Sequence, residues 1–394
     1  MTFYKGCTIP VRNPQGGVYL AVEIPEPEDF LNYLDHLRKF LEECVRSSGV
    51  EGLEERLELV ADLIALFYKA PLLEEPIRGL SLSPFKAYLT YRVMRHKFRD
   101  IDKKSMKDAM ESLSEVHKEM RDIFKLLDEV SDLSENIFVR APADTRPGYN
   151  ISSLIVHLLA VSALAWSKSS GLGRRERAIV RIASLLHDIG KPIDPQHHVK
   201  GSVEGARKLL SGILSGEDLS EVLEIIENHH NPGYSGRFEE EVAIMRDADR
   251  FSAGADRLDP LIEASVIGEL AELSGVSERE AFEIYYRRGE WERWLELERR
   301  RPGIMRELTE KCVKYALSEY SPLEKGEEYF KGVNIVKLDV ASIQEFIRDS
   351  EKLPLLSASS YIVDLAVMFN SLRAVQVGIP GYPVECFLYS AGGN

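Results

Sequence analysis

Cysteine is scarce and unpatterned in this sequence. Cys7, Cys44, Cys312 and Cys386 fall at no paired spacing, which excludes a zinc ribbon or a disulfide framework and leaves buried free thiols as the reading. Long hydrophobic runs are missing too. No segment reaches the roughly 20 apolar residues that a membrane-spanning helix needs, and the N-terminus carries no signal-peptide pattern. A cytoplasmic protein without a membrane partner is therefore expected. Positive charge is in deficit, with 50 Lys and Arg against 64 Asp and Glu for a net charge of -14. That argues against a protein that coats nucleic acid over its whole surface, because phosphate binding depends on local Lys and Arg. Internal repeats and low-complexity tracts are also absent.

What is present is the composition of a globular protein, 44% hydrophobic and 29% charged over 394 residues, enough for two or three cores. Residues 1 to 25 alternate and turn around Asn13-Pro-Gln-Gly-Gly17, which predicts a β-hairpin. From 27 to about 132 the period becomes helical, with Phe30, Tyr33, Leu34, Leu37, Phe40 and Leu41 as the first apolar stripe. Helices continue through 150 to about 320. A polar hinge, Ser321 to Glu328, then precedes a β-strand over Val333–Val340, helices over Ala341–Ile347 and Ser359–Val375, and a second strand over Val384–Tyr389. Local basic patches occur at Tyr91–Arg99 and at 287–301, the latter interleaved with Glu290, Glu292, Glu296 and Glu298. Each reads either as a single-strand contact or as a solvated helix face, and no nucleic-acid-binding residue is assigned from them.

Histidine is where the sequence is least random. Six of nine fall between 157 and 230, around Ser184-Leu-Leu-His-Asp-Ile-Gly-Lys-Pro192. His157 sits in an almost wholly apolar helical run, Ile151 to Trp166, where an unpartnered imidazole is costly. His187 and Asp188 end the helix Arg174 to Asp188, and Gly190 reads as its stop signal. His197 and His198 follow, then the pair His229-His230, then a helix Glu239 to Gly254 bearing Asp247 and Asp249. Imidazole and carboxylate converging from different helices of a bundle is how a divalent transition metal is held. His197 reads as a surface residue beside the better-placed His198. Lys191 reads either as a cation at a helix C-terminus or as a point charge for a phosphate.

The order His…His-Asp…Asp, carried by His157, His187, Asp188 and Asp249, resembles the HD metallohydrolase superfamily. The string Ala248-Asp-Arg-Phe-Ser252 favours Asp249 over Asp247 as the closing ligand, with Asp247 kept as the alternative. By the same resemblance these four would hold a first metal, and His198, His229 and His230 match the extra histidines of two-metal members. The implied cofactor is one or two divalent ions, Mn, Ni or Co rather than Mg, because imidazole-rich sites favour these borderline ions.

Two further strings narrow the resemblance. Asp339-Val-Ala-Ser-Ile-Gln-Glu-Phe346 and Tyr389-Ser-Ala-Gly-Gly-Asn394 are similar to motifs of the Palm domain in the large subunits of CRISPR effector complexes, departing from them at Ser342 and Ala391. His157 precedes the doublet, the unpermuted order, so the chain resembles a type I-D large subunit, with a type III large subunit as the alternative. The resemblance implies a mainly α fold: an HD helical bundle with a short N-terminal β-hairpin and a partial ferredoxin-like Palm segment. The expected division is 1–149 for the hairpin and N-terminal helices, 150–325 for the HD domain with its helical extension, and 326–394 for the Palm-like part.

The implied function is metal-dependent cleavage of DNA within a crRNA-guided interference complex, with His187, Asp188 and Lys191 as the catalytic residues. Its partners would be the other effector subunits, crRNA, substrate DNA and a viral anti-CRISPR inhibitor. The string Gly-Gly-Asp-Asp is absent, so cyclic-oligonucleotide synthesis is not expected. Two alternatives stand beside this reading: an HD nucleotide phosphohydrolase, and a non-catalytic scaffold subunit.

Overall fold

The computed structural model describes residues 10–12, 18–20, 27–73, 84–98, 105–140, 143, 153–194, 197–256, 260–286 and 370–387, with a few positions between 296 and 308. The described chain is mainly helical. Five N-terminal helices, α1 (Pro27–Ser48), α2 (Leu53–Leu73), α3 (Pro84–Val93), α4 (Arg95–Phe98) and α5 (Met106–Arg140), precede a second group. That group comprises α6 (Leu154–Lys168), α7 (Arg174–Leu186), α8 (His198–Leu210), α9 (Gly216–Asn228) and α10 (Glu239–Asp256). Helices α11 (Pro260–Ser274), α12 (Glu278–Tyr286) and α13 (Ser371–Gly378) follow, and a 3-10 turn spans Val384–Cys386. Among the described residues no helix is long and apolar enough to cross a membrane.

One continuous core runs from Phe30 to Val384. In α1 the residues Phe30, Tyr33, Leu34, Leu37, Phe40, Leu41 and Cys44 are all buried, as their spacing at 3 and 4 requires. Each aromatic or aliphatic side chain so buried contributes about 1.5–3 kcal/mol. Helix α2 differs, being apolar on nearly every face from Leu57 to Tyr68, and it runs through the interior between α1, α5 and α7. Its three buried charges are all matched. Glu58 takes a two-pronged bond from Arg174, Asp62 accepts from Arg181 and Arg92, and Lys69 donates to the carbonyls of Val384 and Phe387. A charge left alone there would cost several kcal/mol.

Within the basic patch at 91–99, Arg92 pairs with buried Asp62 at 2.8 Å and Lys97 pairs with Glu119, while Arg95 is exposed. In the second patch Arg300 pairs with Glu296. The paired reading is seen at Arg92, Lys97 and Arg300.

One sequence expectation is left without support and another needs correction. Pro10–Arg12 and Val18–Leu20 pair antiparallel, Val11 opposite Tyr19, but a two-stranded ladder of three residues is marginal. The turn that would join it lies outside the described residues, so the hairpin is not supported as an element of the fold. The second strand of the Palm-like segment is not a strand where it is described: Val384–Cys386 coils into a 3-10 turn with Pro383 before it. The physical reason is burial. Val384 enters the core, Glu385 binds Arg181, and the carbonyls of Val384 and Phe387 are taken by Lys69 instead of a neighbouring strand. The other three Palm-like elements fall outside the described residues, apart from 370–375 of the second helix. That part is helical from Ser371 to Gly378.

Gly190 also has a different role from the one its sequence context suggests. It has no positive φ, so no left-handed cap is being made. Instead α8 lies against it: a Cβ there would sit 2.2 Å from the His198 carbonyl oxygen and 2.6 Å from the Ser202 nitrogen. The Gly190 amide donates to the Ser202 hydroxyl at 2.9 Å. Gly190→Ala should therefore push α8 off the 187–193 turn and cost about 1–3 kcal/mol as an overpacking change. Denaturant unfolding measures this, and an unchanged midpoint would refute the close-approach role.

Candidate metal centre

Helix α6 starts at Ser153, whose hydroxyl accepts from the Val156 amide. This N-cap sets the register that carries His157 into the core, where its side chain is 1% exposed. Helix α7 delivers the second group. It ends at Leu186, and the chain then tightens, with Ile189 and Lys191 amides reaching back three residues to Leu186 and Asp188. That tightening turns adjacent His187 and Asp188 toward one cavity. Helix α9 ends the same way, with His229 as its C-cap and His230 in the turn beyond. Both ligand pairs thus stand at helix C-termini, where the exposed carbonyl ends favour a cation.

The proton positions follow from the partners. His187 Nδ1 lies 2.8 Å from the Ser184 carbonyl and His229 Nδ1 lies 2.6 Å from that of Ile226. A carbonyl can only accept, so both Nδ1 atoms carry hydrogen and Nε2 is the atom turned into the cavity. His157 Nδ1 meets the Ser252 hydroxyl at 3.2 Å. Carbonyl or hydroxyl support behind the ring is the usual orientation of a metal-ligating imidazole.

Two groups form. His157, His187, Asp188 and Asp249 each offer one ligand atom with all atoms within 4.8 Å of one another, and so do Asp188, His198, His229 and His230. Asp188 belongs to both. In the first group His157 Nε2 stands 3.2 Å from Asp249 Oδ1 and 3.7 Å from Asp188 Oδ2, and His187 Nε2 stands 3.3 Å from Asp188 Oδ2. In the second, His198 Nε2 is 3.3 Å from His230 Nε2 and 3.5 Å from Asp188 Oδ1.

The fit to a cation rests on what these atoms lack. His157 Nε2, His187 Nε2, His229 Nε2 and Asp188 Oδ1 are buried with no hydrogen-bond partner. Such orphans are rare in folded proteins, and four of them converge here. Imidazole nitrogen with carboxylate oxygen is a donor set for borderline transition ions.

Asp249 is in the cluster and Asp247 is exposed at the surface of α10, as two residues of helix, about 200° of rotation, require. His197 is also outside, its exposed ring paired with Asp194 at 3.1 Å. Lys191 Nζ contacts Asp188 Oδ2 and the Ala143 carbonyl, each at 2.5 Å. Sequence reasoning missed the supporting atoms, Ser252, Ser184 O, Ile226 O and Ser202. Ser252 alone had a signal, lying three residues beyond Asp249 on the same helix.

The electrostatics match. Burial opposes a charged His187, but the Asp188 and Asp249 carboxylates outweigh it and hold the imidazole pKa at about 10. Burial likewise opposes ionisation of Asp188, yet Lys191, His187 and His198 keep it well below the usual carboxylate range. Asp249 is held low in the same way, against burial, by His157 and His187. His229 goes the other way, to about 4, through burial and the adjacent His187 charge.

A protein-family model for the HD domain matches residues 154–254, from the start of α6 into α10. Residues 154–254 are an HD domain. The HD domain indicates the superfamily of metal-dependent hydrolases, and with the His/Asp cluster it suggests a metal-dependent phosphohydrolase. No curated protein matches the chain.

Two outcomes are expected of this site. His187 carries its Nε2 proton throughout the range below its pKa of about 10, so Mn²⁺ must displace it, while Nδ1 keeps its proton on Ser184 O. Loading at pH 7.5 should release about one proton, and affinity should rise with pH. Calorimetry in buffers of different ionisation enthalpy reads the release, and an identical heat in all of them would rule it out. Separately, Asp249→Ala should lose bound metal while Asp247→Ala keeps it, by elemental analysis of the dialysed protein. The reverse pattern would transfer the role to Asp247.

Proposed function

We propose that the chain is a metal-dependent phosphohydrolase whose HD centre cleaves DNA phosphodiesters within a crRNA-guided CRISPR effector complex. The observation that carries the hydrolase reading is the set of four buried ligand atoms without a hydrogen-bond partner, on His157, His187, His229 and Asp188, which divalent cations would satisfy together. When bound, such ions supply Lewis acidity to a phosphoryl oxygen and lower the pKa of water.

The side chains would divide the work. His157, His187, Asp188 and Asp249 would hold one ion, and Asp188, His198, His229 and His230 a second. Lys191 would set its ammonium group beside Asp188, where negative charge develops on a phosphoester. Manganese, cobalt or nickel suit these imidazoles better than magnesium. The solvent edge of the cluster is made by half-buried His198 and His230, so an extended phosphodiester would approach from that side.

Support for the DNA substrate and the guided complex is narrower. It rests on the strings beginning at Asp339 and Tyr389, similar to Palm motifs, and on the unpermuted order of the HD residues. Other effector subunits, crRNA and a viral anti-CRISPR inhibitor are the partners this reading brings with it. Pairing of the guide would then supply sequence specificity. A nucleotide phosphohydrolase is the second reading, favoured by one observation: the described end of the Palm-like segment is a 3-10 turn packed on the bundle.

Linear single- and double-stranded DNA and the four dNTPs, each with Mn²⁺, Co²⁺, Ni²⁺ or Mg²⁺, separate the two. DNA cleavage with the first three ions, lost in His187→Ala and Asp188→Ala, is the expected result. Release of phosphate from dNTPs with intact DNA would select the second reading. Undiminished cleavage in the double variant would remove the assignment of the site.

A further inference from the structure

A buried charge cluster sits between the two helices that carry the first ligands, and the metal site does not use it. Arg181 of α7 is 1% exposed and reaches in two directions. Its Nε and Nη2 donate to the two Glu385 oxygens at 2.9 and 2.7 Å, and Nη2 also donates to Asp62 of α2 at 2.8 Å. Glu385 Oε1 accepts in addition from the Ser162 hydroxyl of α6 at 2.6 Å. One carboxylate, brought in by the 3-10 turn, thus bonds α6 and α7 at once. Lys69 grips both sides of that turn through the Val384 and Phe387 carbonyls.

The distances along the helices are short. Ser162 follows His157 by five residues and Arg181 precedes His187 by six, so the cluster lies about 8–9 Å from the ligands along each axis. Between them, the Tyr68 hydroxyl of α2 donates to the Leu185 carbonyl at 3.1 Å, bracing the end of α7 two residues before His187. Helices are stiff over one to two turns, and close-packed interiors transmit displacement. A shift of α6 against α7 at Glu385 is therefore a shift of His157 against His187 and Asp188.

We propose that Glu385 is a positioning residue for the metal centre: by bonding Ser162 and Arg181 together it fixes the separation of α6 and α7, and so ties metal affinity to the docking of residues 383–387. This rests on the metal-centre reading above. It goes further in making a remote C-terminal segment part of the site, although the HD match ends at 254. Any partner or movement that withdraws 383–387 would loosen the ligands without touching them.

The test is Mn²⁺ binding to the metal-free 394-residue chain by titration calorimetry, with thermal melting and circular dichroism alongside. Glu385→Ala should lose about tenfold in affinity, as loss of ligand-orienting contacts does, with helix content unchanged. Glu385→Gln, which can still bond Ser162 and Arg181, should recover most of it. Leu127→Ala, in the core of α5, serves as the control that lowers the melting temperature without touching the link, and its affinity should stay at the wild-type value. Should Glu385→Ala fail to fold, Ser162→Ala removes the α6 bond to Glu385 together with the longer 3.5 Å bond to the Arg181 carbonyl, leaves Glu385 on Arg181, and a weakened affinity is expected there too. Wild-type affinity in Ser162→Ala and in any folded Glu385→Ala, or a loss no larger than in Leu127→Ala, overturns the inference alone. A wild-type chain that takes up no Mn²⁺ overturns the metal reading and this inference together.

Discussion

The packing of α6 against α7 is the constraint on which the rest of the structure depends. His157 comes from one helix and His187-Asp188 from the end of the other, so their atoms meet only if the two helices keep one register. Apolar contacts supply most of the adhesion, through Leu154, Leu158 and Val161 on α6 and Ala178, Ile182 and Leu185 on α7. Such contacts are not directional and tolerate sliding. The buried polar bonds do not, since Ser162, Arg181, Glu385 and Asp62 must all meet within hydrogen-bond distance or leave charges stranded.

Burial makes the cluster both costly and useful. Three imidazoles and two carboxylates removed from water would each be unfavourable alone. Here opposite charges offset one another: Lys191 and His187 hold Asp188 ionised, and the carboxylates hold His187 protonated. A net attraction for a divalent ion remains because the carboxylate oxygens and both helix ends supply negative potential, and because His187 Nε2 becomes a lone-pair donor once its proton is displaced. Gly190 contributes sterically, allowing α8 and His198 to reach Asp188.

The N-terminal helices are part of this arrangement. Helix α2 matches Glu58, Asp62 and Lys69 to partners on α7 and on the C-terminal turn, and its Tyr68 braces α7. Its internal position explains why its sequence is apolar on almost every face. Arg92 of the basic stretch at 91–99 has a similar explanation as a core partner of Asp62.

Local patterning determined a good deal by itself. The positions of α6, α7 and α10, the apolar stripe of α1, the clustering of histidines and the contrast between Asp247 and Asp249 all follow from periods of 3.6 residues and from the cost of a lone imidazole in an apolar run. Tertiary structure decided the rest, because those features depend on residues distant in the chain. That Gly190 answers to α8, that Ser252 stands behind His157, and that Arg92 and Arg181 share Asp62 are matters of helices meeting. The same holds at the C-terminus, where alternating Val384, Cys386 and Leu388 read as a strand. A strand needs a neighbour for its backbone, and here Lys69 takes the carbonyls and Arg181 takes Glu385, so a 3-10 turn forms instead.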